Sequence, residues 1–369
     1  MVPNWTTEVY ILMSASVILG FNFILMIREF YRDKFKKNLF MALGYLFGVS
    51  WSFLGALSHL FMSKLFFQVA VWSIGGMAFF VTFSLDFLAS ESIDARKVIV
   101  ISFLFSGSIF SSFEKNSVIE VTYPTGEHGL NWSGTFEITG SLVALVFLLF
   151  VFYYYLQIFR KSPQNLKKYS ALLLLGGFFF MLSPVFATVP IAPDGKPLHN
   201  IIPGVFALVI SIGGSIVSVV FVKQPTLAFI LPFKAHRLTI IDNDAGIAIF
   251  SHTWSTGRDM MNEELYSGML QGIGAIMKEA IKRGDIRQIE TDQACILLEH
   301  DKQFPITCAI VATNPSPSLK SALVSFITRF IQEYSGFFSD DRAIHEISRF
   351  KDASNLVKEC FYFIPEYSD

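Results

Sequence analysis

The chain has 369 residues, of which 52% are hydrophobic and 16% are charged, and its mean hydropathy is +0.49. Soluble domains carry about 25% charged residues, so this composition excludes a disordered chain, a disulfide-rich secreted protein and a single soluble globule. It indicates a membrane protein. The net charge of −1 divides into a basic part, residues 1–225, and an acidic part, residues 226–369. Neither part has the basic field that nucleic acid binding requires.

Seven apolar segments precede residue 224, and most are near the ~20 residues that a transmembrane helix needs. They predict a seven-helix transmembrane domain over residues 1–224, with spans at Val9–Ile27, Leu39–Leu60, Phe66–Leu88, Val98–Phe113, Ile138–Phe159, Tyr169–Val189 and Ile201–Val222. The fourth span is the shortest. Its run of serines predicts a helix packed inside the bundle rather than one that faces lipid.

Positive charge in the connections predicts the orientation of the bundle. The connections 28–38, 89–97 and 160–168 carry eleven Lys and Arg residues, whereas those on the opposite side carry three. This asymmetry predicts a multi-pass cell-membrane protein with its N-terminus outside and its C-terminal domain in the cytosol. Two Asn-x-Ser/Thr triplets on the predicted outside make Asn4 and Asn131 glycosylation candidates. The first apolar run is long and has no basic segment before it, so no cleavable signal peptide is expected.

Three polar residues inside the predicted spans, Asn22, His59 and Asp86, are candidates for binding a ligand, because polar groups are costly in the bilayer. Each also has a structural interpretation. Asn22 and His59 are suited to hydrogen bonds between helices, and Asp86 to an ion pair with Arg96 or Lys97. Glycine pairs in the sixth and seventh spans predict close helix packing at Gly176, Gly177, Gly213 and Gly214.

The predicted outside loop 114–137 is the longest connection of the transmembrane part. Its alternating segment Ser117–Tyr123 and the turn residues Pro124-Thr125-Gly126 predict a hairpin that acts as a lid. A metal site formed by His128, His199 and the loop glutamates has no specific spacing, so no metal is expected. The loop residues considered as binding candidates are Glu127, His128 and Trp132.

Residues 225–233 form a predicted juxtamembrane connector, because Pro225 and Pro232 end the seventh helix. Its apolar run lies either along the membrane interface or on the following domain. From residue 234 the hydrophobic period changes to that of strands. The predicted cytosolic α/β domain, residues 234–369, is a five-stranded antiparallel sheet with helices in the order β-β-α-β-β-β-α-α. Its predicted strands are Arg237–Asp242, Gly246–Trp254, Ile286–Glu290, Ala294–His300 and Ile306–Thr313; its helices are Asn262–Arg283, Pro317–Tyr334 and Asp341–Cys360, the last broken near Ser354.

This order of elements resembles the longin fold of small-GTPase and vesicle-traffic adaptors and the related roadblock domain. The run Leu265–Leu270, with Ser267 and Gly268 inside it, is similar to archaeal longin-like and roadblock-like proteins. The seven spans resemble, more loosely, the input regions of microbial sensor proteins. The resemblance implies an archaeal-type membrane protein whose Ser267 and Gly268 belong to an interface with a small GTPase or with a second copy of the chain. The structural alternative is that Gly268 allows the helix to approach a neighbouring element closely.

Motifs of catalysis and cofactor binding are absent from the sequence: there is no phosphate-binding loop, dinucleotide fingerprint, nucleophile elbow or paired metal-ligand motif. The three cysteines have no metal spacing and indicate reduced thiols in the cytosol. We therefore expect no enzyme and no cofactor.

The sequence favours a receptor or scaffold in the lipid bilayer that couples an outside-facing sensor to a cytosolic longin-like domain. One alternative is a transporter in which Asn22, His59 and Asp86 line a path and the cytosolic domain is regulatory. Another is a simple membrane tether for that domain. These alternatives differ in whether the helices sense, transport or only anchor.

Overall fold

A computed structural model describes residues 3–122, 127–188, 202–254, 268–269, 272–273, 286–301, 303–337, 350 and 352–366. The chain divides into two compact units. The first, here called the helical unit, comprises Met1–Ser162 and Leu166–Pro225. The second, called the sheet unit, comprises Pro163–Asn165 and Thr226–Asp369.

The helical unit contains seven helices in its described residues: α1 Thr7–Asp33, α2 Lys36–Phe61, α3 Lys64–Ser90, α4 Ala95–Ser112, α5 Gly134–Lys161, α6 Lys167–Thr188 and α7 Ile202–Lys223. Six of them, all but α6, contain described stretches long and apolar enough to cross a membrane. These helices agree with the predicted multi-pass character. The helix α6 occupies the place of the sixth predicted span.

Short turns connect the first helices and reverse the chain. The turns after α1, α2 and α3 each contain one residue in the left-handed region: Lys34, Met62 and Glu91. The side chains of Thr6, Ser63 and Asp94 accept hydrogen bonds from backbone amides in the first turns of α1, α3 and α4. One end of the unit, here called the hairpin end, therefore holds Thr7, Phe61, Lys64, Ser112 and Gly134. The other, called the connector end, holds Asp33, Lys36, Ser90, Ala95, Lys161 and Lys223.

The prediction that the fourth span packs inside the bundle is wrong. The helix α4 exposes 78% of Phe103 and 76% of Phe110. Only one face of α4 is buried, and it carries three of the serines: Ser108, Ser111 and Ser112. The hydroxyls of Ser111 and Ser112 donate to backbone carbonyls three residues earlier, and that of Ser111 also pairs with Thr139 of α5 at 2.8 Å. The serines therefore need only one face of α4 to be buried, and the opposite face can remain exposed.

Close packing of α6 on α7 confirms the prediction made from the glycine pairs. A Cβ atom placed on Gly213 would lie 2.8 Å from the carbonyl oxygen of Gly176 and 3.0 Å from Cβ of Phe179. A Cβ atom on Gly176 would lie 3.1 Å from the carbonyl oxygen of Gly213. Because the backbones themselves touch, no rotamer change relieves a side chain at either position.

Replacing Gly213 by alanine should therefore destabilise the helical unit by about 1–3 kcal/mol, the usual cost of overpacking. Gly107→Ala is the matched control, because its nearest atom, Cγ2 of Thr139, lies 3.9 Å from the added carbon. Alanine is the better helix former by about 1 kcal/mol, so this control should be neutral or stabilising. Unfolding by a denaturing detergent measures both variants. A Gly213→Ala protein as stable as Gly107→Ala would contradict the packing described here.

The hairpin end carries the first two strands, β1 Val118–Thr122 and β2 His128–Trp132. The sheet unit holds β3 Ala235–Asp242, β4 Ile247–Thr253, β5 Gln288–Glu290, β6 Cys295–His300 and β7 Ile306–Ala312. They form one antiparallel sheet in the order β4-β3-β7-β6-β5, which confirms the predicted antiparallel sheet. The predicted turn between β3 and β4 is also present, with Gly246 at φ 69°.

Helix α8, Pro317–Tyr334, follows the sheet and agrees with the predicted bounds. Its buried face holds Phe326 and Phe330, whose rings lie 6.0 Å apart and pack against Phe361 and Phe350 respectively. The last described helix, α9, is Ala353–Cys360, so the chain is helical through the predicted break at Ser354. Of the predicted helix at Asn262–Arg283, residues 268–269 and 272–273 are described, and they are helical.

The connector is not a free linker. Residues Pro225–Phe229 form a 3-10 helix in which Leu227, Ala228 and Phe229 are buried. The ring of Phe229 lies 4.7 Å from that of Phe363, and Phe233 also contacts Phe363. Of the two locations expected for this apolar run, its packing therefore favours the one on the sheet unit.

Candidate functional site

A β-hairpin covers the hairpin end of the helical unit, as the alternating pattern in the loop predicts. Strands β1 and β2 pair antiparallel, with Val118 opposite Trp132 and Thr122 opposite His128. The predicted turn residues 124–126 lie outside the described residues. Val118 and Leu130 pack with Val71 and Phe136 in one buried cluster, so the hairpin is anchored to α3 and α5.

The segment before α1 ties the hairpin to α2. The backbone amide of Asn4 donates to the carbonyl of Leu60 at 2.9 Å, and its side-chain amide donates to the carbonyl of His128 at 2.8 Å. The same side-chain nitrogen lies 3.4 Å from the carbonyl oxygen of His59. Asn4 is thus a bridge between two elements, and its amide nitrogen is already engaged.

Beneath this bridge lies a buried acid–base pair. Nε2 of His59, on α2, is 3.5 Å from Oε1 of Glu8, on α1, and both side chains are only 4% exposed. The other ring nitrogen, Nδ1, accepts a hydrogen bond from the backbone amide of Leu130 in β2 at 3.4 Å. We call Asn4, Glu8, His59 and the Leu130 amide the hairpin-end cluster. Its geometry links α1, α2 and the hairpin through one imidazole ring.

The hairpin-end cluster contains His59 and Asn4, which the sequence indicates, but also Glu8, which sequence reasoning missed. Glu8 stands two residues after Thr6, the N-cap of α1, where an acidic side chain is ordinary because it complements the helix dipole. Its burial is the unusual feature, and no local pattern reports it. An acidic residue directly before the first predicted span, Val9–Ile27, was the available signal.

The three loop candidates have different positions. Trp132 packs its ring against Phe136 and over Gly140, and so has a structural role. Glu127 lies directly before β2 and is half-buried. The ring of His128 points away from the cluster and pairs its Nδ1 with Oγ1 of Thr122 at 3.0 Å.

No group of three metal-binding side chains occurs among the described residues. His199, the other histidine considered for a metal site, lies outside them.

Asp86 belongs to a second polar group, which we call the connector-end triad: Asp86, Lys97 and Tyr154. Oδ1 of Asp86 is 2.5 Å from Nζ of Lys97 and 3.2 Å from the hydroxyl of Tyr154, which also contacts Nζ. The backbone amide of Asp94 donates to Oδ2 of Asp86 at 3.0 Å. The carboxylate of Asp86 is therefore paired with the ammonium group of Lys97. This ion pair is the structural interpretation that the sequence offers for Asp86.

Asn22 lies at a third place, on the contact between α1 and α7. Its Nδ2 donates to Oγ of Ser215 at 3.0 Å, while its Oδ1 is buried without a hydrogen-bond partner. Tyr45 of α2 contacts the same part of α7. Its hydroxyl donates to the carbonyl of Gly214 at 2.8 Å and accepts from the hydroxyl of Ser218 at 3.0 Å. These bonds hold α7 to α1 and α2.

The three membrane candidates thus lie in three separate groups of contacts, and no single group contains two of them. A small cavity of about 10 Å³ lies among α2, α3, α5 and α7. Its lining is apolar and includes Trp51, Met77 and Phe206. None of Asn22, His59 and Asp86 reaches it.

The remaining candidates are on the surface or outside the described residues. Asn131 is exposed on β2. Ser267 lies outside the described residues, whereas Gly268 is described and exposed. No atom of the described residues lies within 4 Å of a Cβ atom placed on Gly268, so the close approach expected as its structural role is not observed among them. In the sheet unit, burial raises the pKa of the Cys308 thiol well above its usual value, which favours the protonated thiol.

Comparison with known proteins adds no relative. No protein-family model matches the chain, and no curated protein or solved structure is significantly similar to it. The functional argument therefore rests on the residues and contacts described above.

Proposed function

We propose that this chain is a membrane receptor or scaffold. In this proposal seven helices cross the cell membrane with the N-terminus outside, and they sense a stimulus at the hairpin end. The sheet unit is a cytosolic longin-like domain that recruits a small GTPase or another protein partner. Lys and Arg cluster at the connector end, as the positive-inside rule requires for this orientation.

The observation that carries the proposal is the hairpin-end cluster. Burying Glu8 and His59 near a bilayer is costly, which makes the pair a functional candidate, and the backbone of the hairpin donates a hydrogen bond to it directly. A plain membrane anchor requires neither the pair nor the lid. A transport path is less well supported, because Asn22, His59 and Asp86 belong to separate contacts.

A route from the hairpin end toward the sheet unit runs along α7. This helix carries the chain to the connector, and it is held by hydrogen bonds to Asn22 and Tyr45 and by backbone contact with Gly176. Because these contacts are specific, a small displacement of α1 or α2 would change the register or tilt of α7.

The longin-like part of the proposal is supported by the order of the elements. Two strands, a helical segment, three strands and two helices follow one another, and the five strands form one antiparallel sheet. The exposed position of Gly268 leaves it available to a partner, as the resemblance implies.

The recruitment is tested with the full chain in lipid nanodiscs and purified small GTPases of the same organism, loaded with GDP or with a non-hydrolysable GTP analogue. We expect nucleotide-dependent capture that falls at least tenfold in Gly268→Arg. Ser325→Arg, at an exposed position on α8, is the matched control and should retain capture. Absence of capture in both nucleotide states by a folded chain would refute the link to GTPases.

A further inference from the structure

We infer that the hairpin-end cluster is a proton-responsive switch, in which neutral His59 holds the hairpin closed and protonated His59 releases it. This inference deepens the proposed function, on which it rests for its cytosolic consequence, by naming the stimulus as acidification at the hairpin end. The release of the hairpin itself depends only on the contacts of His59, Glu8 and Leu130.

The tautomer of His59 follows from its two contacts. Nδ1 accepts from the Leu130 amide, so in the neutral ring Nδ1 has no proton and Nε2 carries it. Nε2 is the nitrogen that faces Oε1 of Glu8 at 3.5 Å. The neutral ring of His59 thus accepts a hydrogen bond from the Leu130 amide of the hairpin and directs its own N–H toward the carboxyl group of Glu8.

Uptake of one proton from the aqueous phase changes this arrangement. The proton binds Nδ1, and the imidazolium then presents N–H donors on both sides. The Leu130 amide loses its acceptor and faces another donor, while the attraction between Nε2–H and Glu8 becomes stronger. The closed hairpin is therefore disfavoured as the pH falls, because the polar link between β2 and α2 is lost.

Other charged groups around His59 come from three elements. Glu8 faces it from α1, and Glu127 lies directly before β2. On the outer side of the hairpin, Glu120 pairs with Lys64 of α3 at 3.8 Å, and both side chains are more than half exposed. An exposed pair of this kind is screened by solvent and contributes little, so it does not compensate a charge on buried His59.

The remaining contacts favour a hinged hairpin over a rigid one. Val118 and Leu130 are anchored in the apolar cluster with Val71, whereas the carbonyl of His128 is joined to the segment before α1 by the side chain of Asn4. Loss of the Leu130 bond weakens one of the few polar links between hairpin and helices. The opening is therefore local and leaves the helices in place.

The test measures hydrogen-exchange protection factors of the segment 127–133, corrected for intrinsic exchange, in the full chain in nanodiscs between pH 4.5 and 8. We expect at least a tenfold loss of protection at the acid end of this range. His59→Gln, whose amide oxygen can accept from Leu130 without titrating, should keep the segment protected at every pH. His128→Gln is the matched control and should respond as the unsubstituted chain does, because this ring pairs with Thr122 outside the cluster.

Glu8→Gln is the second variant. It removes the other titratable group that faces His59 and leaves a neutral oxygen for Nε2–H, so the acid response should persist. Protection of α8 in the same samples reports whether each variant is folded. Protection of segment 127–133 that is constant with pH, a response retained in His59→Gln, or a response lost in Glu8→Gln would overturn the inference. Acid release of the hairpin without any change in GTPase capture would uphold the switch and instead count against the proposed coupling.

Discussion

Lys97→Ala should lower the free energy of unfolding of the helical unit by about 3–5 kcal/mol, the largest loss expected there, because it leaves a buried carboxylate without its cation. Asp86 is 1% exposed, and Lys97 is the only cation that contacts it among the described residues. The hydroxyl of Tyr154 and the Asp94 amide would remain as its donors. They cannot neutralise the charge.

Removing the other partner should cost less, which makes the prediction asymmetric. In Asp86→Ala the ammonium group of Lys97, whose side chain is 25% exposed, can extend toward the headgroup region. The remaining cost is that of the unsatisfied Asp94 amide and Tyr154 hydroxyl, about 1–3 kcal/mol. The double variant should be less destabilised than the sum of the two single variants, since both act on one contact.

Equilibrium unfolding of the detergent-solubilised chain measures this series. Arg96→Ala is the matched control, because Arg96 is the exposed neighbour of Lys97 in the first turn of α4. It should change the free energy of unfolding by less than about 0.5 kcal/mol. Equal losses in Lys97→Ala and Asp86→Ala would show that burial of the carboxylate does not dominate the energetics of the triad.

Phe330→Ala should produce the largest loss in the sheet unit, about 3–5 kcal/mol, the usual range for a buried aromatic residue. Phe330 is fully buried, and its ring lies 4.8 Å from that of Tyr334 and 5.6 Å from that of Phe350. Deleting it leaves a cavity between α8 and residues near the C-terminus. Rigid rings on both sides limit how far the site can collapse to fill that cavity.

The effect of Phe330→Ala should be confined to the sheet unit, because the chain divides into two compact units. Hydrogen exchange of β6 and β7 should accelerate by about two orders of magnitude or more, as a loss of this size implies, while exchange of α2 and α3 stays constant. Val324→Ala, at a 40% exposed position on α8, is the control and should leave both unchanged. Equal acceleration in both units would contradict their independence.

Several features were accessible to sequence reasoning because they depend on local pattern. Apolar runs of spanning length predicted the helices, and alternation with turn residues predicted the hairpin at Val118–Trp132 and the turn at Gly246. Helix α8 has its predicted bounds, because Ser316 and Pro317 mark its start and an apolar stripe marks its buried face. Each signal resides in a few consecutive residues.

Long-range contacts were not accessible in the same way. The serine run of α4 is compatible with a buried helix or with a peripheral one, and only the neighbouring helices decide which face is covered. Asp86 had two candidate cations in sequence, and the turn between α3 and α4 brings Lys97, not Arg96, to its carboxylate. Similarly, the connector had two locations, and its packing on Phe363 depends on where the C-terminal residues lie.

The sequence by itself determined that the chain has a multi-pass helical part followed by an antiparallel sheet with helices, because hydrophobic period and length are local properties. The tertiary structure alone decided that Glu8 meets His59 next to β2. Glu8 and His59 are 51 residues apart along the chain, and His59 and Leu130 of β2 are 71 residues apart. A pair formed by two helices and a strand depends on how the helices cross and on where the hairpin folds back. No short-range pattern in the sequence carries that information.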